Sequence, residues 1–262
     1  MQKIKIIFFD IDDTLRLKDK AWMPVSVNRV FEGLHKNAYK TGIASGRAYF
    51  GISPEVIALG AHYYVTINGQ YVETAQRKVI YNQPIARSVV SSIVEWAKEQ
   101  NIGYGMVGNE RSVVSKWDYF AKEAINIVYG KLDEEPLFWQ TNDVYQLWTF
   151  SDRIIENTLP LALQNDVRLV RWHKYSCDVV PFLGSKAHGI EQVLNFLNLK
   201  PDELMVFGDG LNDLEMFDYA GFSVAMGNAH SDLKTHADFI TKTVEDDGIA
   251  YALEMLGMIE VS

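Results

Sequence analysis

Two acidic residues at the end of a short apolar segment constrain this chain more than any other feature. Residues 4–9 are almost all apolar, and Asp10 and Asp12 follow them directly, one residue apart. Side chains alternate along a strand, so residues two positions apart leave it on the same side. Two carboxylates placed so close repel each other unless a cation, a proton or solvent relieves the repulsion. The segment therefore predicts a strand that ends in a functional site.

A divalent metal would relieve the repulsion between Asp10 and Asp12. Ligation by oxygen alone favours magnesium, which takes one or two carboxylates, keeps several waters and accepts an oxygen from a substrate phosphate. One carboxylate could then attack phosphorus while its neighbour transfers the proton. The alternative is a buried strand followed by a solvated acidic turn, which explains most isolated pairs of this kind.

A second acidic segment is expected at the same edge of the sheet. Gly208-Asp209-Gly210 follows a predicted strand over residues 204–207. In a parallel sheet both segments leave the carboxyl ends of their strands, where open α/β sheets bind ligands, so Asp209 could complete the metal site begun by Asp10. The alternative is a simple strand-to-helix turn in which Asn212 or Asp213 caps the helix.

Two further polar residues, Ser45 and Lys186, lie at the ends of other predicted elements. Ser45 ends a predicted strand over residues 41–44 and supplies a hydroxyl donor suited to a phosphoryl oxygen. Lys186 lies in the first turn of a predicted helix, where the helix dipole disfavours a cation and a nearby anion would explain it. Taken alone, the two residues are also compatible with an ordinary turn serine and a solvated lysine.

The order of predicted elements indicates two domains. Residues 1–81 and 183–262 alternate strands with helices, which predicts an α/β core with a Rossmann-like, doubly wound parallel sheet. Residues 82–182 combine two helices with short strands, which predicts a smaller inserted α/β cap with an antiparallel sheet. The pattern also predicts three local features, namely Ser26 as a helix N-cap, a hairpin turn at Asn68-Gly69, and a helix capped by Ser151 or Asp152.

Composition excludes several classes of function. The 262 residues carry a formal charge of −9, so there is no basic excess for binding nucleic acid or an anionic membrane. Cys177 is the single cysteine, which rules out an intramolecular disulfide. Gln2 and Lys3 lead directly into the first apolar segment without the pattern of a signal peptide, and no apolar run is long enough to cross a bilayer. These observations predict a cytoplasmic protein without a membrane partner.

The motifs, taken in order, resemble those of the haloacid dehalogenase superfamily. The large insertion between the serine and lysine motifs, together with two downstream segments, resembles the Cof-type phosphatase branch of that family. The matching segments are Asp10-x-Asp12-x-Thr14, Ser45-Gly46-Arg47, Lys186, Gly208-Asp209-Gly210-x-Asn212-Asp213, Ala225-Met226-Gly227-Asn228-Ala229 and Glu245-Asp246-Asp247-Gly248.

The resemblance implies a role for each matching residue. Asp10 would be the nucleophile and a magnesium ligand, and Asp12 the general acid and base, with its backbone carbonyl as the metal ligand. Lys186 would be catalytic and would hold the nucleophile and the phosphoryl group together. The remaining implied roles are metal ligation for Asp209, an outer-shell position for Asp213, support of the loop for Thr14, and phosphate binding or its support for Ser45, Gly46 and Asn212.

Asp13 is the one visible departure from the branch, which commonly has glycine at this position. Aspartate tolerates left-handed backbone geometry better than most residues, so the turn can survive. The extra charge could still change the affinity for magnesium or the pKa of Asp12.

These motifs together predict a magnesium-dependent phosphatase that acts on a small phosphorylated metabolite, such as a sugar phosphate, through an aspartyl-phosphate. Two alternatives remain at this point. One is a phosphomutase or phosphotransferase, and the other is a non-catalytic sensor that binds a phosphorylated metabolite. The sequence does not distinguish a monomer from a homodimer, and no residue pattern in the inserted domain identifies the substrate.

Overall fold

A computed structural model describes residues 3–260, and within them the chain forms thirteen strands and eight α-helices. The strands are β1 (Ile6–Phe9), β2 (Lys40–Ala44), β3 (Tyr63–Thr66), β4 (Tyr71–Thr74), β5 (Val79–Asn82), β6 (Gly103–Val107), β7 (Ser112–Val114), β8 (Gln146–Phe150), β9 (Val167–His173), β10 (Ser176–Pro181), β11 (Leu204–Gly208), β12 (Phe222–Ala225) and β13 (Phe239–Ile240). The helices are α1 (Ser26–Lys36), α2 (Pro54–Ile57), α3 (Arg87–Glu99), α4 (Tyr119–Tyr129), α5 (Lys186–Leu197), α6 (Leu214–Tyr219), α7 (Ser231–Thr235) and α8 (Gly248–Met255).

The chain divides into two units. The first unit comprises the residues up to Gly46, Ile52–Tyr81 and the residues from Ser185 onward. The second unit comprises Asn82–Gly184 together with Arg47–Gly51. The short segment Arg47–Gly51 lies outside the range that the sequence pattern assigned to the inserted domain.

The first unit is built on an eight-stranded sheet. Its strand order is β13-β12-β11-β1-β2-β3-β4-β5, with parallel pairing from β13 to β3 and an antiparallel hairpin between β3 and β4. All four residues of β1 are fully buried, as expected for a parallel strand whose two faces are both covered. Together with the helices, this sheet confirms the predicted Rossmann-like α/β fold.

Close packing in the middle of the sheet depends on one glycine. A Cβ atom on Gly42 in β2 would lie 2.2 Å from the Phe8 ring of β1, so only glycine leaves room for that ring. Because Gly42 has no side chain, the ring of Phe8 can fill the core beside β2.

The second unit contains a five-stranded antiparallel sheet in the order β7-β6-β8-β10-β9. The apolar face of α3, formed by Val90, Ile93, Val94 and Ala97, packs into the buried cluster of this unit. The sequence period predicts this helical face, because apolar residues three and four positions apart share one side of a helix.

Two local predictions are wrong. Ser26 is the first residue of α1 and not its cap, and its hydroxyl donates to the carboxylate of Asp247 at 2.5 Å. The helix predicted to begin at Ser151 or Asp152 does not form. This region instead contains two short 3-10 turns, Glu156–Thr158 and Leu161–Leu163. The Ser151 hydroxyl accepts the N–H of Arg153, a local bond that competes with helix formation, and Pro160 separates the two turns.

The hairpin predicted at Asn68-Gly69 is confirmed. β3 and β4 pair antiparallel, with Tyr63 opposite Thr74 and Thr66 opposite Tyr71. The connection is one 3-10 turn, in which Asn68 and Gly69 both have positive φ.

Among the helices of residues 3–260, none combines the length and the apolar character needed to cross a bilayer.

Candidate active site

The register of the central strands places the first acidic motif at the carboxyl edge of the sheet. Phe9, the last residue of β1, lies opposite Ile43 on one side and Phe207 on the other. The N–H of Asp10 donates to the carbonyl of Phe207 at 3.0 Å. Asp10 therefore leaves β1 beside the end of β11, where the second acidic motif begins.

Lys186 joins the two acidic motifs. Its Nζ donates to Oδ1 of Asp10 at 2.6 Å and to Oδ1 of Asp213 at 2.7 Å. Lys186 and Asp213 are fully buried, and the side chain of Asp10 is 10% exposed. The anion expected near the first turn of α5 is thus a pair of buried carboxylates.

The loop after β11 is held by the second oxygen of Asp213. Oδ2 accepts the backbone N–H groups of Asp209 and Gly210, both at 3.0 Å. A Cβ atom on Gly208 would lie 2.6 Å from this same oxygen, so the close approach requires glycine. Both carboxylate oxygens of Asp213 are therefore engaged in orienting other groups.

Asp209 is tied to the first motif by a side-chain hydrogen bond. The hydroxyl of Thr14 donates to Oδ1 of Asp209 at 2.8 Å. Thr14 is fully buried in the turn that follows β1, so it links the loops after β1 and β11. The family resemblance implied loop support for Thr14, and the structure shows Asp209 as the partner of its hydroxyl.

The arrangement fits a divalent cation. One ligand oxygen from each of Asp10, Asp209 and Asp213 lies within 4.8 Å of the other two. Burial raises the pKa of Asp10 to about 7, with the charge of Asp213 adding to the effect and Lys186 opposing it. Burial and then the neighbouring Asp10 and Asp213 raise the pKa of Asp209 to about 9. A hard cation with oxygen ligands would relieve this crowding of negative charge.

The charge of Lys186 persists in this setting. Burial alone would lower the pKa of its ammonium group, but the carboxylates of Asp10 and Asp213 outweigh burial and raise that pKa above the ordinary lysine value. Lys186 therefore stays positively charged beside the acidic residues of the site.

Ser45 and Gly46 lie at the end of β2, the strand that pairs in parallel with β1. The N–H of Ser45 donates to the carbonyl of Val65 at 2.8 Å, and its own carbonyl accepts the N–H of Asn68 at 3.0 Å. A Cβ atom on Gly46 would lie 3.1 Å from the side-chain oxygen of Asn68. The hairpin that carries Asn68 thus holds the backbone of the serine motif at the carboxyl edge of the sheet.

Two predicted residues are less buried than this group. Asp12 is partly buried in the turn after Asp10, and its charge adds to burial and to the charge of Asp213 in raising the pKa of Asp10. Asn212 is exposed in the Leu211–Asp213 turn, and within residues 3–260 no hydrogen bond joins its side chain to Asp10, Lys186 or Asp209.

Asn228 contributes to the site although the sequence suggested no role for it. Its side-chain Nδ2 donates to the carbonyl of Asp13 at 2.7 Å, and its Oδ1 accepts the N–H of Val244 at 3.2 Å. The only signal for this residue was its place in the segment that resembles the Cof-type branch. Its contact with Asp13 depends on folding that brings together residues more than 200 positions apart.

Comparison with known proteins agrees with the geometry. Residues 7–253 match the family model of haloacid dehalogenase-like hydrolases. The chain belongs to this family. It is 36% identical over 258 residues to the putative phosphatase YkrA of Bacillus subtilis strain 168, which covers 98% of this chain and 99% of YkrA.

Two further similarities extend this family assignment. The chain is 49% identical over 259 residues to a putative bifunctional phosphatase/peptidyl-prolyl cis-trans isomerase of Streptococcus pyogenes serotype M6, covering 99% of this chain but only 55% of that protein. The solved structure of a sugar phosphatase of HAD subclass IIB superposes with a TM-score of 0.86 at 27% identity, and the match covers 97% of this chain and all of that one. The family and these relatives support a hydrolase of the phosphatase type and of the Cof-type branch.

Proposed function

We propose that the protein is a magnesium-dependent phosphatase that hydrolyses a small phosphorylated metabolite through an aspartyl-phosphate. One observation carries the proposal: the buried Lys186 bridges Asp10 and Asp213 while Asp209 lies close to both. A nucleophilic carboxylate, a fixed cation and a second acid cluster in one site are what phosphoryl transfer to an aspartate requires.

The residues that would hold magnesium are the carboxylates of Asp10 and Asp209 and the backbone carbonyl of Asp12. Asp213 fits an outer position, because one of its oxygens accepts from Lys186 and the other accepts two backbone N–H groups. When bound, the ion would supply positive charge beside the phosphoryl oxygens and the nucleophilic carboxylate.

The chemistry is assigned to Asp10 and Asp12. A carboxylate oxygen of Asp10 attacks phosphorus, the bond to the ester oxygen breaks, and Asp12 donates its proton to that leaving oxygen. In the second step Asp12 takes a proton from water, the water oxygen attacks phosphorus, and the bond to Asp10 breaks. Inorganic phosphate leaves, and both aspartates return to their starting state.

Lys186 and its neighbours position these groups. The ammonium of Lys186 fixes the Asp10 carboxylate and offers positive charge to the phosphoryl group at the same time. We assign the binding or support of the phosphoryl oxygens to Ser45, Gly46 and Asn212, and support of the loop to Thr14. The Thr14 assignment has direct geometric support in the hydroxyl that holds Asp209.

The second unit is proposed to select the substrate, and a sugar phosphate is the proposed class. The similarity to a HAD subclass IIB sugar phosphatase supports this class. The protein is further proposed to be cytoplasmic and to act as a monomer or a homodimer.

The test is a magnesium-dependent phosphate-release assay across a panel of phosphorylated metabolites. The Asp10→Asn variant should lose about 10³-fold or more of kcat/KM, since it removes the nucleophile, and Asp12→Asn should show a comparable loss. Asp202→Asn, at an exposed aspartate that pairs with Lys3, is the matched control and should retain activity. Release that continues unchanged in Asp10→Asn would overturn the proposal.

Other outcomes of the same assay separate the alternatives. Transfer of phosphate to a second sugar hydroxyl, without release, would indicate a phosphotransferase or mutase. Tight binding of phosphorylated metabolites without turnover of any of them would indicate a sensor.

A further inference from the structure

We propose that Asp13 and Asn228 are positioning residues that fix the orientation of the Asp12 backbone carbonyl and thereby strengthen magnesium binding. The inference rests on the proposed function, since it assigns that carbonyl to the metal site. It explains the one residue of the first motif that departs from its family, and it gives a role to Asn228.

The peptide group between Asp12 and Asp13 is fixed by a short backbone hydrogen bond. The N–H of Asp13 donates to the carbonyl of Arg16 at 2.6 Å. A trans peptide is planar, with its carbonyl pointing opposite to its N–H. The direction of the Asp13 N–H therefore sets the direction of the Asp12 carbonyl, which points away from the Arg16 oxygen.

Asp13 adopts the left-handed backbone conformation that this turn requires. Its φ is 61°, a region in which most residues other than glycine are strained and aspartate is tolerated. Its Oδ1 also accepts the N–H of Lys18 at 3.0 Å. A glycine could adopt the same backbone conformation, but it has no side chain to accept the N–H of Lys18. Asp13 therefore adds a hydrogen bond that a glycine could not make.

Asn228 holds the other side of the same residue. Its Nδ2 donates to the Asp13 carbonyl, and its Oδ1 accepts from Val244. The Asn228 segment is itself anchored to the second acidic motif, because the N–H of Met226 donates to the carbonyl of Gly208 at 3.0 Å. The N–H, the carboxylate and the carbonyl of Asp13 are thus all bonded, and a tilt of the Asp12 peptide would strain or break these bonds.

The test measures magnesium binding to the full chain by titration calorimetry, without substrate. Asn228→Ala removes one hydrogen bond on the turn, so we expect about 3- to 10-fold weaker binding. Asp13→Ala removes the bond to Lys18 and strains the backbone, so a loss of about 10-fold is expected. Asp13→Asn tolerates the same φ and keeps an acceptor oxygen, so it should stay within about twofold of the wild type.

Asn37→Ala is the matched control. Asn37 makes the same type of bond, from its Nδ2 to the carbonyl of Met258 at 2.9 Å, and lies between α1 and β2 at the opposite edge of the sheet. This variant should lose a little thermal stability and bind magnesium as the wild type does. Asn228 is exposed, so its alanine variant is expected to fold.

Weaker magnesium binding in Asn228→Ala and Asp13→Ala, restored in Asp13→Asn, would support the inference. Unchanged binding in both alanine variants, with only the lower melting midpoint shown by Asn37→Ala, would overturn it and leave the proposed function standing. A wild-type chain that neither binds magnesium nor releases phosphate would overturn the proposed function, and this inference with it.

Discussion

Lys186 is the residue on which the charge balance of the site depends. It is a buried ammonium group between two buried carboxylates, Asp10 and Asp213, at 2.6 and 2.7 Å. A buried ion pair contributes little net stability, but removal of one partner leaves uncompensated charge in a medium that solvates it poorly. The lysine is therefore important for stability as well as for positioning Asp10, the proposed nucleophile.

We expect Lys186→Met to lower the free energy of unfolding by about 3–5 kcal/mol near neutral pH. The loss should shrink in acid, because Asp10, whose pKa is raised by burial, can then take up a proton and become neutral. Urea denaturation at several pH values measures this. Lys3→Met, which removes an exposed pair with Asp202, is the control and should change stability by less than about 1 kcal/mol. Equal effects of the two substitutions would contradict the account.

The sequence allows some of these residues to be found and leaves others hidden. Asp10, Lys186 and Asp209 each follow a strand or open a helix, so the topology of a parallel sheet predicts that they meet. The contacts of Thr14 with Asp209 and of Asn228 with Asp13 depend on side-chain directions in two loops. Loop geometry is set by tertiary packing, and no periodicity in the sequence predicts it.

At the scale of elements, the hairpin between β3 and β4 supports the start of α5. A Cβ atom on Gly69 would lie 2.0 Å from the carbonyl oxygen of Ser185, the residue before Lys186. Gly69 also has a φ of 89°. The hairpin turn and the helix that begins with Lys186 therefore approach to a distance that only glycine permits.

The Gly69→Ala variant should lose roughly 3 kcal/mol or more of stability and part of its phosphatase activity, because the added methyl group must displace the Ser185 backbone. Gly257→Ala is the matched control, since Gly257 also has a positive φ but no atom within 4 Å of an added Cβ. That variant should lose only about 1 kcal/mol from backbone strain and keep its activity. Thermal unfolding and phosphate release measure the two effects. Equal losses of stability and activity in the two variants would contradict an effect of the close approach between Gly69 and Ser185.

β2 is linked to its neighbours by a histidine pair. The hydroxyl of Thr41 lies 2.9 Å from Nε2 of His35 and 3.1 Å from Nδ1 of His62, and the N–H of Thr41 donates to that same Nδ1. Burial lowers the pKa of both histidines, and for His62 the charges of His35 and Lys40 add to it. The folded protein therefore favours the neutral rings.

This pair should make the protein less stable in mild acid. Below the unfolded pKa of about 6.5 the unfolded chain binds protons that the folded rings resist, so stability falls as the pH drops from about 7 to about 5. We expect His62→Gln to flatten part of this dependence in urea midpoints measured across that range. A slope that is the same in His62→Gln and the wild type would exclude the pair as its source.

At the scale of the whole molecule, the chain combines an α/β unit that carries the chemistry-bearing residues with a second unit that interrupts it. The alternation of strands and helices predicts the first unit well, because a buried parallel strand and an amphipathic helix have different apolar periods. The antiparallel sheet of the second unit is also predicted. The region after Ser151 is not, because local side-chain bonds and Pro160 override its helical pattern there. The assignment of Arg47–Gly51 to the second unit depends on contacts between distant residues that no local pattern encodes.

The most direct test of the central claim is to trap the covalent intermediate on Asp10. The wild type is quenched in acid during turnover of its best substrate with magnesium, treated with borohydride to reduce an acyl phosphate, and digested for mass spectrometry. The account predicts reduction of the Asp10 side chain to the alcohol, in the wild type only with substrate and never in Asp10→Asn. Phosphate release at the normal rate without any modification of Asp10 under these conditions would contradict it.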